Sequence, residues 1–156
     1  MSKEVKKRLS WGNYLEMTRF MITLEQGVDL VWHAFSDMEG GEIYVKKIPS
    51  MKVTDIAKAV SEEAKTEIVG IRPGEKLHEQ MIGIEDSPFT YEYDDYYKIL
   101  PAIQDKDSIM VRQKSGKKVN KGFVYSSDNN SDWMTIDELR EWIEANKDKL
   151  DGGLIR

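Results

Sequence analysis

Arg72 and Glu75 flank a Pro73-Gly74 pair in the stretch GIRPGEKLHEQMIG, residues 70 to 83. Proline holds its own φ near about −65° and pushes the preceding arginine toward an extended backbone. Gly74 can take the positive φ that a tight turn requires. The turn therefore presents a planar, permanently charged fork of donors beside two acceptor oxygens, at what reads as a strand-to-helix junction. The same residues also suit an ordinary surface turn, whose ion pair contributes about 0–1 kcal/mol. Turn chemistry alone leaves both readings open.

Other reactive side chains are few. His33 and His78 are the only histidines, and neither has a partner at metal-ligand spacing, so no metal is expected. The eleven glycines never fall in the Gly-x-Gly-x-x-Gly pattern of a dinucleotide loop. None of the seven tyrosines has a lysine four residues on. That pair would be needed for a tyrosine to move a hydroxyl proton as hydride leaves. Asp94-Asp95 and Glu62-Glu63 lie in charged runs and read as solvated faces. The inventory contains no self-sufficient active site, and no catalytic or cofactor-binding residue is assigned.

The elements that must carry these residues fit one domain of 156 residues, with 40% apolar and 33% charged composition. Cysteine is absent, which excludes disulfides and thiolate metal sites. A net charge of −5 argues against a nucleic-acid partner. No apolar run approaches the ~20 residues of a membrane span and no signal peptide is visible, so a cytoplasmic location without membrane association is expected. Lys3, Lys6, Lys7 and Arg8 form a short basic cluster that reads as a solvated tail.

From Thr18, Met21, Leu24, Val28, Val31 and Phe35 follow helical spacing, with Thr18 as the expected cap and Gly40-Gly41 as the stop. EIYVKKIP and TEIVGI read as strands around the short helix VTDIAKAV. With a further helix after Gly74, the first hundred residues alternate helix and strand, an α/β order. SPFTYEYDDYYKILP is an aromatic, acidic stretch. RQKSGKKVNK reads as a basic loop or hairpin with Gly116 at its tip. Thr135 and Glu138 form a capping box for a final helix with Ile136, Leu139, Trp142 and Ile143 on its apolar side.

Five ordered segments carry a family resemblance: MTRFMITLEQGVDLVWHAF, GEIYVKKIPSMKVTDIAKAV, IVGIRPGEKLHEQMIG, DDYYKILPAI and GFVYSSDNNSDWMTIDELREWI. Together they resemble the carboxy-terminal part of the inverting UDP-N-acetylglucosamine 4,6-dehydratases, extended short-chain dehydrogenase/reductases of polysaccharide precursor biosynthesis. The resemblance runs from about Met17 to about Asn146. It implies an α/β substrate-binding lobe, a small sheet with helices, with the Rossmann lobe missing. Residues 1–16 form an unmatched basic tail. Residues 17–156 form the UDP-sugar-binding domain, in which 102–156 are a family-specific arm and final helix.

The resemblance further implies that the complete family enzyme uses NADP and a catalytic Tyr-Lys pair, passing hydride from sugar C4, eliminating water across C5 and C6, and returning hydride at C6. None of that machinery is expected on this chain alone, which would be inactive by itself. The family pattern directs Arg72 and Arg19 to the diphosphate of UDP and Glu75 to the ribose hydroxyls, with Thr18 and Met17 as neighbours. A bare reading of Arg19 is a solvated residue in the first helical turn, where the dipole does not favour a cation. Expected partners are UDP-N-acetylglucosamine or a related UDP-sugar, and a second copy or a full-length relative, since the family tends to form hexamers. Two alternatives stand beside this reading: a non-enzymatic UDP-sugar or partner-binding relative, and a remnant with no ligand. The apolar stripe of the first helix is expected to be exposed for want of a covering sheet.

Overall fold

A computed structural model describes residues 16–63, 73–103 and 106–147, with the side chains of 106 and 107 left aside. The described residues form a mixed α/β arrangement of three small sheets and four helices. β1 (Thr18–Phe20) pairs antiparallel with β3 (Ser50–Lys52), in the register Thr18 to Lys52 and Phe20 to Ser50. A four-stranded sheet has the order β2-β6-β5-β7, built from β2 (Ile43–Lys46), β5 (Thr90–Glu92), β6 (Tyr96–Ile99) and β7 (Lys117–Lys118). The third sheet pairs β4 (Gln80–Ile82) with β8 (Tyr125–Ser126), with an irregular register between Gln80 and Ile82. All of these pairings are antiparallel.

The helices are α1 (Leu24–Asp37), α2 (Val53–Val60), α3 (Lys106–Gln113) and α4 (Ile136–Ala145). α2 packs against α4, and Ala57 and Leu139 bury their side chains there. The expected capping box of α4 is present: Thr135 Oγ1 accepts from the Glu138 amide, and the Thr135 amide donates to Glu138 Oε2. A main core joins Val45, Ile82, Tyr97, Ile99 and Tyr125, with Phe20, Phe89, Val119 and Phe123 against it. Within it, Tyr125 Oη accepts from the Ile48 amide at 3.0 Å and donates to the Ile48 carbonyl at 3.1 Å. One phenol thus satisfies both polar groups of a residue that is itself buried.

Three expectations are corrected. Thr18 does not cap the first helix: it lies in β1, and Thr23 makes the cap, exchanging bonds with Gln26 in a capping box. Pairing of Thr18–Phe20 with β3 claims those residues for a strand, and Met21 donates its amide to Pro49 rather than to a helix. No helix follows Gly74, because β4 is drawn into a ladder with β8, some 45 residues downstream by the Gln80 to Ser126 register. Gly116 is not a hairpin tip. It joins α3 to β7, and a Cβ there would stand 2.4 Å from the Tyr93 ring. The expected strand TEIVGI lies outside the described residues.

α1 has no buried residue, and Leu24, Trp32 and Phe35 are 85%, 68% and 68% exposed. Among the described residues the expected apolar stripe is therefore uncovered, except that Met21 is half-buried. The far end of α1 is held differently. Asp37 accepts from the Tyr44 hydroxyl at 2.7 Å, from the 1% exposed Lys98 ammonium at 2.7 Å, and from Lys114. Burial pushes the Asp37 carboxyl up, but the bonds from Lys114, Lys98 and Tyr44 outweigh it and hold it well below its ordinary 3.8. A depressed carboxyl stabilises the fold at all pH above its ordinary value, and that contribution fades as pH falls below it. Asp37→Asn would leave Lys98 buried without a counter-charge. Chemical denaturation at neutral pH should show a loss of about 3–5 kcal/mol. The variant should also lose stability less steeply than the parent on acidification below about pH 4. A loss under 1 kcal/mol would show that Lys98 is not held by this carboxylate.

Candidate functional site

Thr18 and Arg19 enter the site because β1 is a strand, which sends their side chains to opposite faces. Thr18 points inward, 3% exposed, and its Oγ1 lies 2.8 Å from His78 Nδ1 and 2.6 Å from Ser127 Oγ. Arg19 turns its guanidinium onto the chain that follows the Pro-Gly turn. Nη1 donates to the Thr18 and Leu77 carbonyls at 2.7 and 3.2 Å, and Nη2 donates to the Lys76 carbonyl at 3.0 Å. Its Nε lies 3.6 Å from Glu79 Oε1.

Main-chain bonds complete the anchorage. The Thr18 amide donates to the Leu77 carbonyl, and the Ser127 amide donates to the Glu79 carbonyl at 2.8 Å. The Glu79 amide in turn donates to Ser127 Oγ at 2.9 Å. Residues 76–79 are thus fastened from one side by β1 and from the other by the start of the turn after β8. Next to this turn, the Ser126 hydroxyl donates to Asp128 Oδ1 at 2.6 Å. That bond holds the Asp128 carboxyl below its ordinary value against a smaller opposing effect of burial, and the nearby His78 adds to the lowering.

The opening turn has the backbone its sequence demands. Gly74 sits at φ +84°, with nothing within 4 Å of where a Cβ would stand, so conformation and not packing requires glycine there. Glu75 follows it and is half-buried. Arg72 lies outside the described residues. Met17 is 2% exposed, and its carbonyl accepts from the Val53 amide at 2.9 Å. Both Met17 and Thr18 are therefore buried, and Thr18 meets the segment through the Leu77 carbonyl and His78. The structure brings Thr18, Arg19 and the chain after Glu75 together. Sequence reasoning missed His78, Glu79 and Ser127. Thr18 meets His78 and Ser127 across 60 and 109 positions, and no local spacing signals such contacts.

A serine, a threonine and a histidine in line invite comparison with a nucleophile and its base. Ser127 is 0% exposed and already accepts from the Glu79 amide, so its hydroxyl has no surface at which to meet a substrate carbonyl. Its chemistry is that of a clamp. Among the described residues no group of three or more histidine, aspartate or glutamate side chains could hold a metal ion. Among the described residues the ladders are antiparallel, and where β3 runs directly into α2 the junction is Lys52-Val53, with no glycine to admit a pyrophosphate. A groove of ≈ 950 Å³ lies elsewhere and includes His33, Lys46, Lys47, Tyr93 and Tyr96. Two of its three lysines are answered by carboxylates, Lys47 by Glu92 at 2.9 Å and Lys46 by Asp95 at 3.8 Å, and Glu92, Asp94 and Asp95 line it too, which makes it a poor seat for a polyanion.

Comparison with known proteins converges on one family. Residues 13–101 match the family model described as polysaccharide biosynthesis protein. The chain is 52% identical over 132 residues to a UDP-N-acetylglucosamine 4,6-dehydratase (inverting) of Campylobacter jejuni subsp. jejuni serotype O:2, covering 81% of this chain and 40% of that protein. It is 33% identical over 131 residues to a UDP-glucose 4-epimerase of Rickettsia massiliae, covering 81% of this chain and 38% of that one. A solved structure, Pen from Bacillus thuringiensis, superposes with a TM-score of 0.70 at 27% identity, over 88% of this chain and 40% of its own. The chain thus spans about 40% of the length of these relatives.

Gly74→Ala tests the turn. Forcing an L-side chain to φ +84° should cost about 1–2 kcal/mol in denaturant unfolding, with no cavity or clash to add to it. A neutral outcome would mean the turn has relaxed to another conformation.

Proposed function

The chain belongs to the polysaccharide biosynthesis protein family, and we propose that it is the UDP-sugar-binding part of an inverting UDP-N-acetylglucosamine 4,6-dehydratase. The observation that carries this reading is the 52% identity, which runs over 132 residues. The geometry supports it, because the segment 76–79 that follows Gly74 and Glu75 is anchored from β1 on one side and from Ser127, next to β8, on the other. A preordered site loses little conformational freedom when its ligand binds.

Within this reading Arg72 grips the diphosphate through parallel charge-assisted bonds, and Glu75 accepts from the ribose diol. Arg19 has spent most of its fork on loop carbonyls, so one remaining Nη2 proton would reach a phosphate, as a single prong. Thr18 holds the segment through the Leu77 carbonyl and His78, with the buried Met17 as its chain neighbour. NADP belongs to the complete family enzyme, and the described residues offer it no seat. Redox and proton transfer are left to groups that these residues do not supply.

A second reading, UDP-sugar or partner binding with no chemistry, is favoured by the uncovered apolar stripe of α1. Light scattering tests it: self-association supports it, and a monodisperse monomer counts against it.

Calorimetry should show heat with UDP-N-acetylglucosamine and none with NADP, and mass spectrometry should detect no 4-keto-6-deoxy product from this chain alone. Arg72→Lys should weaken UDP binding about ten- to a hundredfold, since one ammonium cannot reproduce a two-pronged contact. Glu75→Gln should cost less, and its effect should vanish for a ligand lacking the ribose hydroxyls. Affinity unchanged in both variants would remove these two residues from the site. Absence of any UDP heat would overturn the reading for this chain.

A further inference from the structure

We propose that Thr18, Ser127 and His78 are positioning residues for nucleotide binding: a buried proton-ordered relay that locks the segment after Glu75 in its ligand-ready shape. The inference rests on the nucleotide-binding reading above and goes beyond it, since none of the three need touch the ligand.

The order of protons follows from counting donors. Ser127 Oγ accepts from the Glu79 amide, so its own proton must find an acceptor inside a fully buried site. Among the described residues that acceptor is Thr18 Oγ1, at 2.6 Å. Thr18 has one hydroxyl proton, and it then passes to His78 Nδ1, at 2.8 Å. The chain therefore runs from the Glu79 amide through Ser127 and Thr18 to His78, with Nδ1 accepting and the ring proton on Nε2. Reversing it would make His78 donate to Thr18 and Thr18 to Ser127, stranding the Ser127 proton. Every donor is used in one direction only.

The relay acts on the site through the backbone. It begins and ends on the same short segment, at the Glu79 amide and the His78 ring, while Arg19 holds the two carbonyls between them and Glu75. β1 and β8 belong to different sheets, so nothing in either ladder keeps them in register with each other. The Thr18 hydroxyl does so. Without it residues 76–79, which follow Glu75 directly, would keep their main-chain bonds on both sides but lose the tie across.

Four single-residue variants of the chain test this, with UDP as probe and amide hydrogen exchange at Glu79 as a ligand-free readout. Thr18→Val removes the hydroxyl at constant shape, and Thr18→Ser keeps it. His78→Leu removes the acceptor, and His78→Asn returns a carbonyl oxygen near the place of Nδ1. Thr18→Val and His78→Leu should each weaken UDP binding about tenfold and speed Glu79 exchange about tenfold or more. Thr18→Ser and His78→Asn should stay within about threefold of the parent on both measures. A merely structural role would instead raise exchange throughout the core, with no rescue by the conservative pair. If the parent binds UDP and the two disruptive variants bind it equally well, the inference is overturned. If the parent binds no UDP, the functional reading fails and the positioning role fails with it, while Glu79 exchange still decides whether the clamp exists. Should Thr18→Val not fold, the His78 pair decides alone, because that ring is only half-buried.

Discussion

The tie between β1 and the turn after β8 is the constraint on which this site depends. Three sheets of two, four and two strands share a core, but hydrogen-bond ladders do not join them. Thr18 bridges two of these sheets through its side chain, and Tyr125 makes a comparable bridge by bonding both polar groups of Ile48. Such buried bonds contribute modestly in net terms, about 0.5–1.5 kcal/mol each. Leaving one partner unpaired in the interior costs more than the bond contributes, so these contacts specify geometry more strongly than they add stability.

The same logic separates the two ends of α1. Its C-terminal end is fixed by a carboxylate that accepts from two lysines and a tyrosine, one of those lysines fully buried. Its apolar stripe, in contrast, meets solvent. Helix stability in proteins comes chiefly from packing of one face, so a helix with this stripe uncovered is held by its cap, by Asp37 and by its neighbour β2. The site-bearing loop lies on the other side of this distinction. Its anchors, Thr18 and Ser127, are both buried among the described residues.

How far the sequence is legible depends on the range of each interaction. α2, α4 and the capping box of α4 were readable because their determinants repeat every three or four residues. Positive φ at Gly74 was readable because a Pro-Gly pair permits few alternatives. Thr18 was misread as a cap, although a threonine five residues on carries the better signature, with Gln26 at the reciprocal position. Both threonines precede the apolar stripe, and only pairing with β3 decides between them.

By itself, then, the sequence determined α2, α4 and its cap, the positive φ at Gly74, the exposed stripe and the membership of a family whose motifs are long and ordered. Tertiary structure decided that residues 80–82 form a strand, that Lys98 is buried on Asp37, and that Arg19 grips carbonyls of the loop. It also decided that Ser127 and His78 meet at Thr18. The physical reason is distance along the chain. Propensity, capping and turn preferences act within a few residues, whereas each of these contacts joins positions tens of residues apart, where only the packed core chooses the partner.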